Sequence, residues 1–158
     1  MTDTTNTTNT TTVDEERGEV TIIREFPATP AVIFRAFMEP EQLANFWGPE
    51  GVSTPVDKIV IEPWAGGRFE TVMVNDATGE EYPTAGRFVE LEEGVRWSFE
   101  EPNVGMVTET TLEDLGNGST RVTIHQTNVP PMYRSPEALA GFQTALDKGV
   151  AYFASLSA

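Results

Sequence analysis

Three glutamates lie in segments whose alternating pattern predicts β-strands, and they are the first candidates for acid–base chemistry. They are Glu62, Glu70 and Glu109. A carboxyl group that faces the interior has a raised pKa, because burial disfavours its charged form, and it can then act as an acid or hold the polar end of a ligand. Glu62 and Glu109 have the more apolar neighbours, so we predict that these two face a cavity. For each glutamate the alternative is a simple solvated side chain.

The single histidine, His125, is the other candidate, because imidazole titrates near neutral pH. Val122 and Ile124 are apolar in the same segment, so strand alternation places His125 on the opposite, outward face. The chain has no cysteine and only one histidine, which excludes thiolate and multi-histidine metal sites. No nucleophile–base pair can be assembled from these residues. We therefore predict no catalytic residue, no metal and no cofactor.

Large apolar side chains form the most informative group. Packing in a core explains most of them, but where a sheet curves away from a helix such side chains line a void, which is the usual form of a small-molecule site. Val95, Trp97 and Phe99 alternate along one segment and are predicted to form one wall. The predicted lining comprises Phe46, Trp47, Trp64, Phe69, Met73, Phe88, Trp97, Phe99, Met132, Phe142 and Leu146, together with Glu62 and Glu109.

The elements that must position these side chains follow from the hydrophobic pattern. A β-branched run from Glu19 predicts a first strand, and Thr29-Pro30 and Pro40 begin two short helices. Residues from Pro136 onward have an apolar stripe at helical spacing and predict one long helix with Ser135 as its cap. Between them, extended segments predict a meander with a tight turn at Gly116-Asn117-Gly118. The predicted strands are Lys58–Glu62, Arg68–Val74, Ala85–Leu91, Val95–Glu100, Met106–Leu112 and Arg121–Thr127.

Length and charge limit the classes of function. The 158 residues suffice for one domain with a single core, and the formal net charge of −15 disfavours nucleic acid as a partner. No signal segment or membrane span is evident, so we predict a cytoplasmic protein that does not enter membranes. Residues 1–18 begin with a Thr/Asn-rich stretch that buries nothing, and we predict a disordered tail before a domain over residues 19–158. Both a monomer and a homodimer remain open.

Several strings, in this order and spacing, are similar to those of the START-like (SRPBCC) superfamily and resemble in particular the activators of the heat-shock-protein-90 ATPase and their prokaryotic homologues. They are Glu39-Pro40-Glu41-Gln42-Leu43, Phe46-Trp47-Gly48-Pro49, Glu62-Pro63-Trp64-Ala65-Gly66-Gly67-Arg68-Phe69, Gly86-Arg87-Phe88-Val89-Glu90-Leu91, Ser119-Thr120-Arg121-Val122-Thr123-Ile124 and Gln126-Thr127-Asn128-Val129-Pro130. Glu62-Pro63-Trp64 departs from the family's Asp-x-Arg pattern, and Gly141-Phe142 replaces a common Gly-Trp pair. Both departures favour a more apolar pocket.

The resemblance implies an α+β helix-grip (START-like) fold, in which a curved antiparallel sheet surrounds a long C-terminal helix and two short helices follow strand 1. Three functions then remain. The favoured one is a non-enzymatic module that binds an apolar or amphipathic small molecule between sheet and helix. The resemblance also implies a co-chaperone that binds the heat-shock-protein-90 ATPase in stress response. The third is a cyclase- or hydrolase-type enzyme that uses an inward glutamate.

Overall fold

One antiparallel sheet and one long helix make up most of the molecule. The computed structural model describes residues 9–156. The strands are β1 (Thr10–Asp14), β2 (Glu19–Phe26), β3 (Val52–Ser53), β4 (Val60–Ile61), β5 (Arg68–Asn75), β6 (Glu81–Glu92), β7 (Arg96–Glu101), β8 (Met106–Asp114) and β9 (Thr120–Thr127). The helices are α1 (Pro30–Met38), α2 (Pro40–Leu43) and α3 (Pro136–Leu156).

The sheet is open, and its strand order is β1-β2-β9-β8-β7-β6-β5-β3, with β4 also paired to β5. Every pairing is antiparallel, and the register slips once, between Phe88 and Glu90 on β6, where a bulge bends the strand. Tight turns join neighbouring strands, and the predicted one at Gly116-Asn117-Gly118 is present, with φ of 84° and 85° at its two glycines. The predicted helix-grip fold is confirmed.

The prediction of a disordered tail over residues 1–18 is wrong for its second half. Thr10–Asp14 form the edge strand β1, whose residues pair in register with Glu19–Ile23 of β2. Threonine has a β-branched side chain that suits an extended backbone, and pairing with a neighbouring strand supplies the hydrogen bonds that its isolated composition does not reveal. Consequently the two short helices follow the second strand. Residues 1–8 of the predicted tail lie outside the described residues.

The helix α3 begins where the sequence predicts. Pro136 is its first residue, and the hydroxyl of Ser135 accepts a hydrogen bond from the amide of Ala138 at 3.1 Å, which caps the first turn. Near its other end Phe153 is fully buried, with its ring centroid 5.4 Å from those of Phe26 and Phe46. The C-terminal half of α3 therefore closes the core.

Polar contacts fix α3 along its length to the sheet and to the loop after α2. The guanidinium of Arg24 on β2 donates to Gln143 at 3.1 Å and also pairs with Asp147. On the other side, the ammonium of Lys148 donates to the carbonyls of Pro49 and Val52 at 3.4 and 3.3 Å, and burial lowers its pKa. The helix is thus held against one face of the sheet.

Candidate functional site

A cavity of about 560 Å³ lies between α3 and the inner face of the sheet. Strands β5 to β9 form its floor, α3 its roof, and the segment from Phe46 to Pro49 one side. Its size falls within the range of about 300–1,000 Å³ that is typical of small-molecule sites. The helix packs against the sheet at its C-terminal half, and its N-terminal half lies over the cavity.

Eight of the side chains predicted to line a cavity do line it. They are Phe46, Trp47, Phe69, Met73, Trp97, Phe99, Phe142 and Leu146. Alternation along β7 directs Trp97 and Phe99 inward, and the two ring centroids of Phe69 and Phe99 are 4.9 Å apart. The indole of Trp47 lies edge-on to Phe69 at 5.3 Å. That these side chains bind a ligand stays a prediction.

The two glutamates predicted to face the cavity do not do so. Glu62 follows β4, and its carboxylate accepts hydrogen bonds from the amide and the guanidinium of Arg68 at 2.9 and 3.0 Å, which lower its pKa. Glu109 is on the outer face of β8, opposite His125 in the register and 3.6 Å from Arg96. Alternation explains this second error, because Thr108 and Thr110 are the inward residues of that strand.

Four apolar residues are also wrongly placed by the prediction. Trp64 is 59% exposed in the turn between β4 and β5, and Met132 is 68% exposed in the short turn before α3. Val95 is exposed just before β7 begins, so the predicted wall consists of Trp97 and Phe99 alone. Phe88 is buried against Phe69 at 5.5 Å, but it belongs to the packed core and does not line the cavity.

His125 occupies the outer face of β9, as predicted. Its Nδ1 is 2.9 Å from the hydroxyl of Thr21, and its Nε2 is 3.7 Å from the carboxylate of Glu19. Both partners belong to the adjacent strand β2, and the imidazole has no access to the cavity. A structural role accounts for these contacts.

The polar side chains of the cavity were not predicted. Thr84, Glu101, Thr108, Thr110 and Gln126 line the floor, and Tyr133 and Glu137 lie at the exposed rim below the start of α3. The signal was present in the sequence, because Glu101 alternates with Trp97 and Phe99, the two inward aromatic residues of β7. Among the described residues, no group of three or more histidines, aspartates and glutamates is arranged to hold a metal ion.

The cavity floor satisfies most of its own polar groups. The hydroxyls of Thr71 and Thr84 are 2.8 Å apart, and the amide of Gln126 donates to the hydroxyl of Thr108 at 3.3 Å. Burial raises the pKa of Glu101, and desolvation is the only cause of that shift. The site is therefore an apolar chamber with one desolvated acid.

Residues 9–156 include no helix long and apolar enough to span a membrane.

Comparison with known proteins finds relatives with this architecture. The model of the family described as "Activator of Hsp90 ATPase homolog 1-like protein" matches residues 27–154. No curated protein matches the chain. A crystal structure of a protein from Chromobacterium violaceum is similar with a TM-score of 0.76 and 25% identity, covering 86% of this chain and 96% of that one.

Two further crystal structures show the same fold. A protein from Nitrosomonas europaea has a TM-score of 0.76 and 22% identity, covering 92% of this chain and 99% of that one. The AHSA1 protein from Silicibacter pomeroyi has a TM-score of 0.70 and 22% identity, covering 86% of this chain and 97% of that one. The likeness extends over nearly the whole length of each relative.

Proposed function

The chain belongs to the Activator of Hsp90 ATPase homolog 1-like protein family, and on that basis we propose that it is a module that binds an apolar or amphipathic small molecule between its sheet and α3. The observation that carries this proposal is the cavity of about 560 Å³. A packed core leaves few voids larger than a water molecule, so empty space of this size is costly unless something occupies it.

The lining supports an apolar guest. Aromatic side chains from β5, β7 and the segment after α2 surround the space, and Phe142 and Leu146 close it from above. Transfer of apolar surface from water to such a site is favourable by about 25 cal/mol per Å². Most of the binding free energy therefore comes from the hydrocarbon part of the ligand.

Tryptophan fluorescence tests the proposal directly. The chain has three tryptophans, and two of them, Trp47 and Trp97, line the cavity. In a Trp64→Phe variant, emission comes only from these two. Titration with decanol, cholesterol or naphthalene is expected to shift that emission in a saturable manner for at least one probe.

A pair of variants distinguishes the cavity from other surfaces. Gly141 lines the cavity, and a Cβ there would have only the Cβ of Pro49 within 4 Å, at 3.8 Å. A phenyl ring in Gly141→Phe is therefore expected to occupy the space and abolish the response. Ala140→Phe adds the same ring one residue earlier, at an exposed position. Equal responses in the two variants, or no saturable response to any probe, would reject the cavity as the binding site.

The family description supports a second candidate, a co-chaperone that binds the Hsp90 ATPase. This interaction would use the outer surface and would be independent of the cavity. Purified Hsp90 mixed with the wild-type chain and with Gly141→Phe separates the two functions, because the variant is expected to lose the small molecule and retain any chaperone. The enzymatic alternative loses the two carboxylates that suggested it, since Glu62 and Glu109 lie outside the cavity, and would have to use Glu101, the glutamate that lines the floor.

A further inference from the structure

Glu101 is the one acidic group on the floor of the cavity, and its side chain is without a partner. No ion pair or side-chain hydrogen bond joins it to another described residue, and desolvation alone perturbs it. The other polar groups of the floor differ in this respect, since Thr84 contacts Thr71 and Gln126 contacts Thr108. A half-buried carboxylate without a donor is less well solvated than one in water, so a donor from outside the chain would stabilise it.

The backbone holds Glu101 firmly at the end of β7. Its Cα is paired with that of Met106 on β8, and its carbonyl accepts hydrogen bonds from the amides of Val104 and Gly105 at 3.1 and 2.8 Å. The direction of its Cα–Cβ bond toward the cavity is thus set by the sheet and the turn after it.

The carboxylate of Glu101 borders the open space of the cavity, because Glu101 is one of its lining residues. The pairing of Arg87 with Glu100 makes Gly86 the neighbouring inward residue of β6, and Gly86 has no side chain to fill the position. A Cβ there would lie 3.3 Å from the ring of Phe99, which shows how closely the aromatic wall approaches. A ligand head group beside the acid would therefore occupy the cavity itself and not the position of Gly86.

Among the described residues, no lysine or arginine lines the cavity. Arg24 pairs with Asp147, Lys148 donates to the carbonyls of Pro49 and Val52, and Arg134 donates to Glu15. At the rim, Glu137 adds a second acid, and the whole chain has a formal net charge of −15. The field at the cavity therefore attracts cations and repels anions.

We propose that Glu101 is the polar anchor of the cavity and that the ligand is an amphiphile with a protonated amine on an apolar body. The inference rests on the proposed function, because it names the ligand class of the same cavity. A charge-assisted hydrogen bond from the amine to Glu101 satisfies both groups. A ligand carboxylate would instead place a like charge next to a desolvated acid.

Three probes of one chain length test this assignment by calorimetric titration of the full chain: decylamine, decanol and decanoate, each below its micelle concentration. Decylamine is expected to bind most tightly and decanoate most weakly. Glu101→Gln is expected to weaken decylamine by about tenfold or more, which is the size expected for a hydrogen bond to a charged group, and to leave decanol unchanged.

Glu100→Gln is the matched control. It removes the same charge from the adjacent residue, which is exposed and points to the opposite face of β7. If both variants weaken decylamine equally, the effect is general attraction to an acidic protein, and Glu101 is not the anchor. If decanol binds and Gly141→Phe blocks it while Glu101→Gln leaves decylamine unchanged, the anchor is refuted and the proposed function stands. If none of the three probes binds and cholesterol and naphthalene give no saturable response either, the proposed function fails with it.

Discussion

The substitution Gly141→Ala on α3 tests whether the space under the helix is empty. Gly141 is the sixth residue of a 21-residue helix and has no positive φ. Alanine is more favourable than glycine inside a helix by about 0.8–1.0 kcal/mol. The added methyl group would meet only the Cβ of Pro49, at the ordinary contact distance of 3.8 Å. The variant is therefore expected to be more stable by nearly the full helix-propensity difference.

Differential scanning calorimetry and urea unfolding measure this change. For a domain of this size, about 1 kcal/mol corresponds to a rise in Tm of roughly 2–4 °C. A packed interface would respond with the opposite sign, because an extra methyl group in a well-filled core costs about 1–3 kcal/mol. A lower Tm for Gly141→Ala would therefore refute the cavity as the structure describes it.

Two other glycines calibrate the measurement. A Cβ on Gly86 would lie 3.2 Å from the carbonyl oxygen of Phe69 and 3.3 Å from that of Glu100, and backbone atoms of a paired sheet do not yield easily. We expect Gly86→Ala to lower stability. A Cβ on Gly67 would lie 2.0 Å from the carbonyl oxygen of Glu62, so Gly67→Ala is expected to be the most damaging of the three.

Three further changes test other parts of the structure. Glu101→Gln is expected to raise stability at pH 7, because burial raises the pKa of Glu101 in the folded chain above its ordinary value and folding must therefore desolvate a charged carboxylate at neutral pH. The difference in Tm from wild type should vanish once the pH is low enough to protonate a solvated glutamate, and a constant difference would contradict this. Phe153→Ala should lower the free energy of unfolding by about 3–5 kcal/mol, measured by urea unfolding, because the ring is fully buried among three aromatic neighbours and its loss leaves a cavity. A decrease below about 1 kcal/mol would show that α3 does not close the core. Ser135→Ala should cost about 1 kcal/mol by removing the cap on the amide of Ala138, whereas Ser135→Asp, which retains a side-chain oxygen, should cost less; equal losses would argue against capping.

The sequence predicted the arrangement of elements well because the relevant signals are local. Alternation marks β9, where Val122 and Ile124 are buried and His125 faces outward, and glycines with positive φ mark the hairpin before it. The helix α3 follows from its cap, its proline and its apolar stripe. These features depend on residues within a few positions of one another, so one chain suffices to read them.

The strand β1 was missed because its stability comes from a partner. A run of threonines has no apolar alternation, and its hydrogen bonds go to β2 across a turn. The cavity was predicted only in part for a related reason. Successive residues of a strand face opposite sides of the sheet, so the position of a residue along the strand decides whether it faces inward. The prediction placed Glu109 in the cavity because of its apolar neighbours, but it alternates with the inward Thr108 and Thr110 and lies outside. The same rule, applied to β7, would have selected Glu101.

The two edges of the open sheet determine whether strands from other copies of the chain can pair with it. At one edge the described part of β1 is five residues long and rich in threonine, and at the other β3 and β4 have two residues each. Unpaired strands are the usual templates on which further chains add and aggregates grow. Both borders here offer only short stretches of free backbone. Neither border therefore favours the addition of further strands that leads to fibres at high protein concentration.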